Sequence, residues 1–347
     1  MNFVIRNAKP DDVDALVQLA SSVKLLNIMP DVKKLTQRVS LSGESFAQRI
    51  DPAMREYIFV AEELATGRVV GTSALYASYI SEKHPMHCAH IVHDNGKQYY
   101  SRTVLSERYS GIGGFAVARE YRRHVDKVGT QLGMLRVMLF AMYPEWFSNE
   151  LFVEIVAPIS ADEQNRFWNT YGWHFTGLRF AEAYEMARMG QRSFMERFPL
   201  RYPVVNEAGC MLPDEACIPS TARGSQHLAK KLGFHFMGSV DPMDGALQYR
   251  AQRSTMPLVN NGRWYVASVI EPDARRCVVS GGRPAHDEFA PGCNKPCLAC
   301  CYSAEAGFRG GLVGACLDGG RIYLDAKILD CFGIAPGDSI FVAPYDS

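Results

Sequence analysis

The chain has 347 residues, 47% of them hydrophobic and 21% charged, with 37 basic and 37 acidic side chains balancing to no net charge. That length exceeds what one hydrophobic core usually serves, and the composition is that of an ordinary globular protein, which excludes wholesale disorder. A balanced charge supplies no overall positive field for nucleic acid or an anionic membrane, so neither partner is expected.

Phe3-Val4-Ile5-Arg6 alternates as a strand does, and no charged n-region followed by an apolar stretch marks a signal peptide. Lys9-Pro10-Asp11-Asp12 opens a helix with acids at its positive end and Val13, Leu16, Leu19 and Ala20 on one face. Tyr57–Glu62 and Val69–Tyr76 read as strands joined at Ala65-Thr66-Gly67. After the glycine-rich approach Gly111–Gly114, Phe115-Ala116-Val117 reads as a central strand, and Arg119–Arg123 leads out of it. A helix runs from Gly129 through Leu132, Leu135, Val137, Met138 and Met142. The longest apolar run, Met134–Tyr143, is interrupted by Arg136 and is too short to span a bilayer. Leu151–Val156 reads as the next strand.

Phe167–Gly177 and Leu228–Gly238 resemble each other. Each reads as a helix ending on glycine (Gly172, Gly233) and passing into an aromatic strand, which points to a partial internal duplication; a chance likeness of two junctions is the alternative. Asn260–Gly262 marks a boundary, beyond which lie seven of the ten cysteines. Ile322–Val342 reads as strand, short helix, turn (Ala335–Asp338) and strand. Ten cysteines without a leader point to a reducing compartment, and the expected location is cytoplasmic.

The opening helix with Leu26-Asn27-Ile28-Met29-Pro30, the hairpin strand Tyr57–Val60 with Thr66-Gly67, Phe167-Trp168, Ser193–Arg197, Pro219–Ala222, and the tail Ile322–Lys327 through Pro336-Gly337-Asp338 fall in a familiar order. In that order and spacing the chain resembles, over nearly its whole length, the arginine N-succinyltransferases, a CoA-using branch of the GNAT acyltransferases. Lys231-Leu232-Gly233-Phe234 is similar to the element that closes many GNAT domains. The resemblance implies an α+β fold, with a central mixed sheet flanked by helices, partly duplicated, and a small β-rich C-terminal domain. The GNAT-like region is placed at residues 1–254 (half-units about 1–180 and 181–254) and the β-rich domain, with a Cys-rich insert, at 255–347. It further implies an acyl-CoA donor, succinyl-CoA or similar, an arginine- or ornithine-like amino acid as acceptor, and a homo-oligomer or a hetero-oligomer with a related subunit.

GNAT enzymes hold the CoA pyrophosphate on backbone N–H groups between the central strand and the next helix, because uncapped donors at a helix N-terminus attract an anion. The corresponding stretch is Arg122-Arg123-His124-Val125-Asp126-Lys127-Val128-Gly129-Thr130, which keeps the arginines and the final Gly-Thr but has two extra residues and Lys127 at the first glycine position. Arg122, Arg123, Gly129 and Thr130 are therefore the expected phosphate ligands, a basic helix-capping loop being the alternative. Phe115 and Val117 would line the acyl-donor channel or simply pack in the core. The family's proton-donating histidine corresponds to Ile218, in Cys217-Ile218-Pro219-Ser220-Thr221, and isoleucine cannot carry a proton. Substitutes nearby in sequence are Tyr109, His124 and Cys217.

Two clusters stand outside that pattern. His84, His87, His90 and His93 recur at intervals of three. Such density suits a metal or haem, but a strand would send His84 and His90 to one face and His87 and His93 to the other. Cys293, Cys297, Cys300 and Cys301 form C-x3-C-x2-C in what reads as an inserted loop, the spacing of an iron–sulfur or zinc site, with Cys277 or Cys316 as further ligands and free thiols as the alternative. Besides the acyltransferase, the residues thus leave open a repurposed scaffold carrying a metal, haem or an iron–sulfur cluster on an amino-acid-derived ligand, and an inactive partner subunit.

Overall fold

The computed structural model describes residues 1–22, 30–155, 165–205, 218–219, 221–270 and 291–345. The chain opens with strand β1 (Phe3–Asn7), helices α1 (Val13–Ser21) and α2 (Val32–Phe46), and the hairpin β2 (Glu56–Glu63) and β3 (Val69–Ile80). A second hairpin follows, β4 (Met86–Asp94) and β5 (Lys97–Leu105), then β6 (Tyr109–Val117), α3 (Val128–Met142) and β7 (Glu150–Ile155). Next come α4 (Trp173–Thr176), α5 (Phe180–Arg188), β8 (Arg201–Pro203), α6 (Arg223–Lys231), β9 (His235–Val240), β10 (Leu247–Gln252) and α7 (Pro257–Asn261). The last part is β11 (Arg263–Val269), β12 (Pro291–Ser303), β13 (Gly307–Asp318), β14 (Arg321–Leu324), α8 (Ala326–Phe332) and β15 (Ser339–Pro344).

All the described strands join one mixed sheet, in the order β12-β15-β11-β14-β13-β1-β2-β3-β6-β7-β10-β9-β4-β5-β8. β12 also pairs with β13, so β11 to β15 close into a five-stranded barrel. β1 couples this barrel to the rest, pairing with β2 on one side and with Gly310 and Arg309 of β13 on the other.

Local chemistry explains the start. Asp12 takes two hydrogen bonds from the Arg6 guanidinium, at 2.7 and 2.9 Å, and one from Lys9 N, fixing the entry to α1. Asp31 caps α2 by accepting from Lys34 N at 3.0 Å. α2 then lays Leu35, Val39 and Phe46 on the sheet, while Ser42 and Ser45 accept the Ile58 and Glu56 amides. α3 is apolar nearly all round because it is enclosed, with the sheet on one side and α7, β12 and β13 against it. Among the described residues no helix is long and apolar enough to cross a membrane.

Two expectations are corrected. The helix containing Trp168 does not stop at Gly172. It runs through a π-helical turn, Trp168–Gly172, into α4 and ends at Gly177, where φ is +72°. Gly172 is there because a Cβ would sit 2.3 Å from the Trp168 ring, not because the helix ends. Only α6 passes through its glycine, Gly233, into a strand, so the two segments are not equivalent units. The Cys-rich stretch, read as a loop, is strand β12. Its two faces are both buried: Cys297, Ala299 and Cys301 face the barrel interior, while Leu298 and Cys300 pack against the main core.

Candidate functional site

β6 and β7 are parallel neighbours at only two pairs, Ser110 with Leu151 and Gly111 with Phe152. β7 is held on its other edge by β10 over its full length, so beyond Gly111 the sheet parts into a wedge. β6 leaves regular pairing with β3 over the same residues, its register shifting between Thr72 and Ala74 opposite Ala116 and Gly113. Backbone groups released from a ladder in this way are available to a ligand.

α3 starts at the open end of the wedge. Lys127, at its N-cap, is left-handed (φ +50°) and no side chain caps the helix. The first intrahelical bond runs from Gln131 N to Lys127 O at 3.0 Å, leaving the Val128, Gly129 and Thr130 amides ahead of it. A Cβ on Gly129 would stand 3.5 Å from both Phe115 and Val117, so the structure brings Phe115, Val117, Gly129 and Thr130 to one junction of strand and helix. Arg122 and Arg123 are exposed beside it; Arg122 Nε donates to Val117 O at 3.0 Å and Arg123 has φ +61°.

The loop is anchored from both ends of the chain. His124 stacks edge-on to Phe3 and against Tyr121, its Nδ1 accepts from Asp126 N, and Asn2 donates to Asp126. Gln131 donates to Asp126 O at 2.7 Å and accepts from Leu312 N at 2.9 Å, tying the loop to β13. The left-handed backbone of Lys127 is one that a Cβ disfavours by about 1 kcal/mol. Lys127→Gly is therefore expected to raise stability in denaturant titration by about that amount.

On the other side of the wedge, one strand step beyond Phe152, Glu154 meets Asp241 and Asp244 from the β9–β10 turn. Asp241 and Asp244 are 3% and 8% exposed, and one oxygen of each is used by the turn itself, accepting from Met243 N and Ala246 N. Glu154 accepts from Gln248 Nε2 at 3.2 Å and from Tyr79 OH at 3.4 Å. Burial, then the Asp241 and Asp244 charges, push the Glu154 carboxyl up to about 8, with Arg192 and the Gln248 bond opposing. Asp244 moves up for the same reasons, burial first and then Asp241. Arg192, close enough to feel Asp241 and Glu154, is the cation of the group. His87 faces it as well: burial holds the imidazole neutral against the pull of Asp241, and its buried Nδ1 has no hydrogen-bond partner.

The other candidates lie elsewhere. Tyr109, at the closed end of β6, is 6% exposed against Phe152, and burial pushes its phenol up. His124 is a loop anchor. Cys217 lies outside the described residues, whereas Ile218 is 6% exposed in the main core. His84 precedes β4 in a bridge to Ser81; His90 and His93 bond across the hairpin to Thr103 and Gln98. Of the four, only His87 reaches the acidic cluster. Cys300 Sγ contacts Met142 Sδ at 3.5 Å on one face of β12 while Cys297 and Cys301 sit on the other, so the strand separates them. Burial raises all three thiols, the reverse of what metal ligation needs, and Cys301 donates to Phe332 O. The Cys293 side chain and Cys277 lie outside what is described; Cys316, at the far end of β13, pairs with Tyr323 of β14. Among the described residues no three His, Cys, Asp or Glu side chains gather as a metal site.

A mixed sheet that parts beside an uncapped helix N-terminus defines a GNAT acyltransferase, the class of enzyme that takes acyl-CoA as co-substrate. The chain belongs to the arginine N-succinyltransferase family, whose model, described as the arginine N-succinyltransferase beta subunit, matches residues 3–257. It is 21% identical to the arginine N-succinyltransferase of Photorhabdus laumondii over 364 aligned positions, covering 97% of this chain and 95% of that one. It is 26% identical to arginine N-succinyltransferase subunit alpha of Pseudomonas aeruginosa, covering 75% of this chain and 81% of that one. Among solved structures it shares the fold of arginine/ornithine succinyltransferase subunit AI from Pseudomonas aeruginosa, with a TM-score of 0.78, 19% identity, and coverage of 100% and 99%.

Proposed function

We propose that the chain moves succinyl or a similar acyl group from CoA to the amine of an arginine- or ornithine-like amino acid. The acidic cluster beside the wedge carries the reading. A free amino acid with a cationic side chain brings two cations and one carboxylate, and Glu154, Asp241 and Asp244 with Arg192 present the opposite pattern. The names of the relatives, which include arginine and ornithine, agree with that acceptor.

In this reading the pyrophosphate lies on the first-turn amides of α3, with Arg122, Arg123 and Lys127 around it, and the thioester arm runs past Phe115 and Val117. Glu154 takes a proton from the acceptor's ammonium. The freed amine attacks the thioester carbonyl, the C–S bond of the tetrahedral adduct breaks to leave an amide, and the second nitrogen proton passes to the departing CoA thiolate. Glu154 thus supplies a proton-transfer group where isoleucine at position 218 cannot, with neutral His87 beside it. Assembly with a related subunit fits relatives named as subunits.

Thiol release from succinyl-CoA, measured with and without arginine or ornithine, tests the reading. Release that depends on the amino acid supports it. If neither amino acid elicits thiol and succinyl-CoA, acetyl-CoA and CoA all leave the melting temperature unmoved, the reading falls.

A further inference from the structure

Under the wedge lies a charge that the mechanism above does not use. Arg136 projects from α3 toward β6 and is 4% exposed. Its Nη1 donates to Gly113 O at 3.0 Å, and the guanidinium stands 5.4 Å from the centroid of the Phe115 ring. Nε is buried and bonds to nothing. Among the described residues no carboxylate pairs with it; the one charge-bearing neighbour it feels is the Tyr76 phenol. Glu56, beyond Tyr76, is already engaged by Arg38, which also donates to Tyr76 OH at 3.0 Å. Burial pulls the Arg136 guanidinium down to about 9, so it still carries its proton at neutral pH.

A buried cation with one neutral hydrogen bond and no counter-ion is costly, and is normally paired. Its place suggests what completes it. Arg136 lies eight residues past Val128, about 12 Å along the helix from the pyrophosphate end. Gly113, which it holds, is one step inside the point where β6 and β7 part. A donor with its phosphates on the first turn of α3 would bring its acyl end, not its nucleotide end, to this spot. An arginine also suits a planar carboxylate better than a lysine would, because the fork offers two parallel N–H donors.

We propose that Arg136 receives the distal carboxylate of a dicarboxylic acyl donor and thereby sets the donor specificity of the wedge. The proposal rests on the acyl-CoA reading given above and adds to it the residue that distinguishes a charged acyl chain from a neutral one of equal length.

Succinyl-CoA and butyryl-CoA differ at that end, a carboxylate against a methyl group, and serve as the two probes. In the wild-type protein succinyl-CoA is expected to raise the melting temperature more than butyryl-CoA does, without any acceptor present. With acceptor, its kcat/KM should be the higher by about 10- to 100-fold, the worth of one charge-assisted pair. In Arg136→Met the two donors should become equal, the succinyl value falling to that of butyryl, while free CoA stabilises variant and wild type alike. Arg136→Lys should regain part of the preference. Equal loss with both donors in a variant that still binds CoA would overturn the proposal, as would a preference that survives in Arg136→Met. Should Arg136→Met fail to fold, the same comparison in Arg136→Lys and Arg136→Gln decides it. Failure of CoA itself to bind the wild-type protein would sink the acyl-CoA reading, whereas CoA binding with no succinyl preference in the wild type sinks only the role of Arg136.

Discussion

Glu154→Gln is expected to lower kcat/KM for acyl transfer by about 10²- to 10⁴-fold, the usual contribution of a positioned proton acceptor. The base must be ionised to work, so the wild-type rate should climb as pH passes about 8, and the residual rate of the variant should lack that rise. The same substitution should make the protein more stable in alkali. The Glu154 carboxyl is pushed above its unfolded range by burial and by Asp241 and Asp244, so the folded state holds a proton that the unfolded chain has lost. Stability from that proton is complete below the unfolded pKa and is lost as pH rises through the folded one. Melting curves of the two proteins should therefore coincide near pH 5 and separate toward pH 9, with the glutamine variant higher. A variant that is both slower and less stable at pH 9 would show that Glu154 is a structural acid and not the base.

Gly310→Ala should lower stability strongly for a single added methyl. Gly310 sits in β13 where three units meet, opposite Ile5 of β1 and Cys300 of β12 and above α3. A Cβ there would stand 2.7 Å from Cys300 Cβ, 2.8 Å from Ala299 O and 3.0 Å from Leu135 Cδ2. Two of those neighbours are backbone or its first side-chain atom, so strands must separate to admit it, at an expected cost of about 3 kcal/mol in urea titration. Gly43→Ala, in the middle of α2 with nothing within 4 Å, is the matched control and should gain about 0.5–1 kcal/mol.

The parts of the fold that could be read from the residues are those that carry a local signal. β1, α1, the β2–β3 hairpin and α6 with β9 all show a clean period or a glycine stop, and the strand–helix–strand ending at β15 is spelled out by Asp325, Gly333 and Pro336-Gly337. β12 was hidden because it is buried on both faces. Without a polar side its sequence loses alternation, and cysteines, proline and glycine then look like a loop. Glu154, the proposed proton acceptor, stands far from Ile218 in sequence. Its signal was an acid inside the apolar strand Leu151-Phe152-Val153-Glu154-Ile155, meaningful only once the β9–β10 turn brings Asp241 and Asp244 against it. Arg136 was visible as the one charge in an apolar helix, though nothing in the sequence said that it lacks an acid. Lys127 is instructive in the other direction: its backbone is left-handed, a conformation that favours glycine, as the resemblance to the GNAT loop had implied for this position.

The seam between β1 and β13 sets the order in which the molecule can be built. Asn7 accepts from Phe308 N at 3.2 Å, and Tyr302 donates to Phe46 O, so early residues are completed by residues made long after them. During synthesis the edge of β1 stays open until β13 has left the ribosome, and the wedge-bearing half must wait with one flank exposed. Such long-range closure slows folding, and an exposed strand edge is where chains pair with the wrong neighbour. Truncation anywhere in the barrel would thus be felt at the first strand, some three hundred residues away.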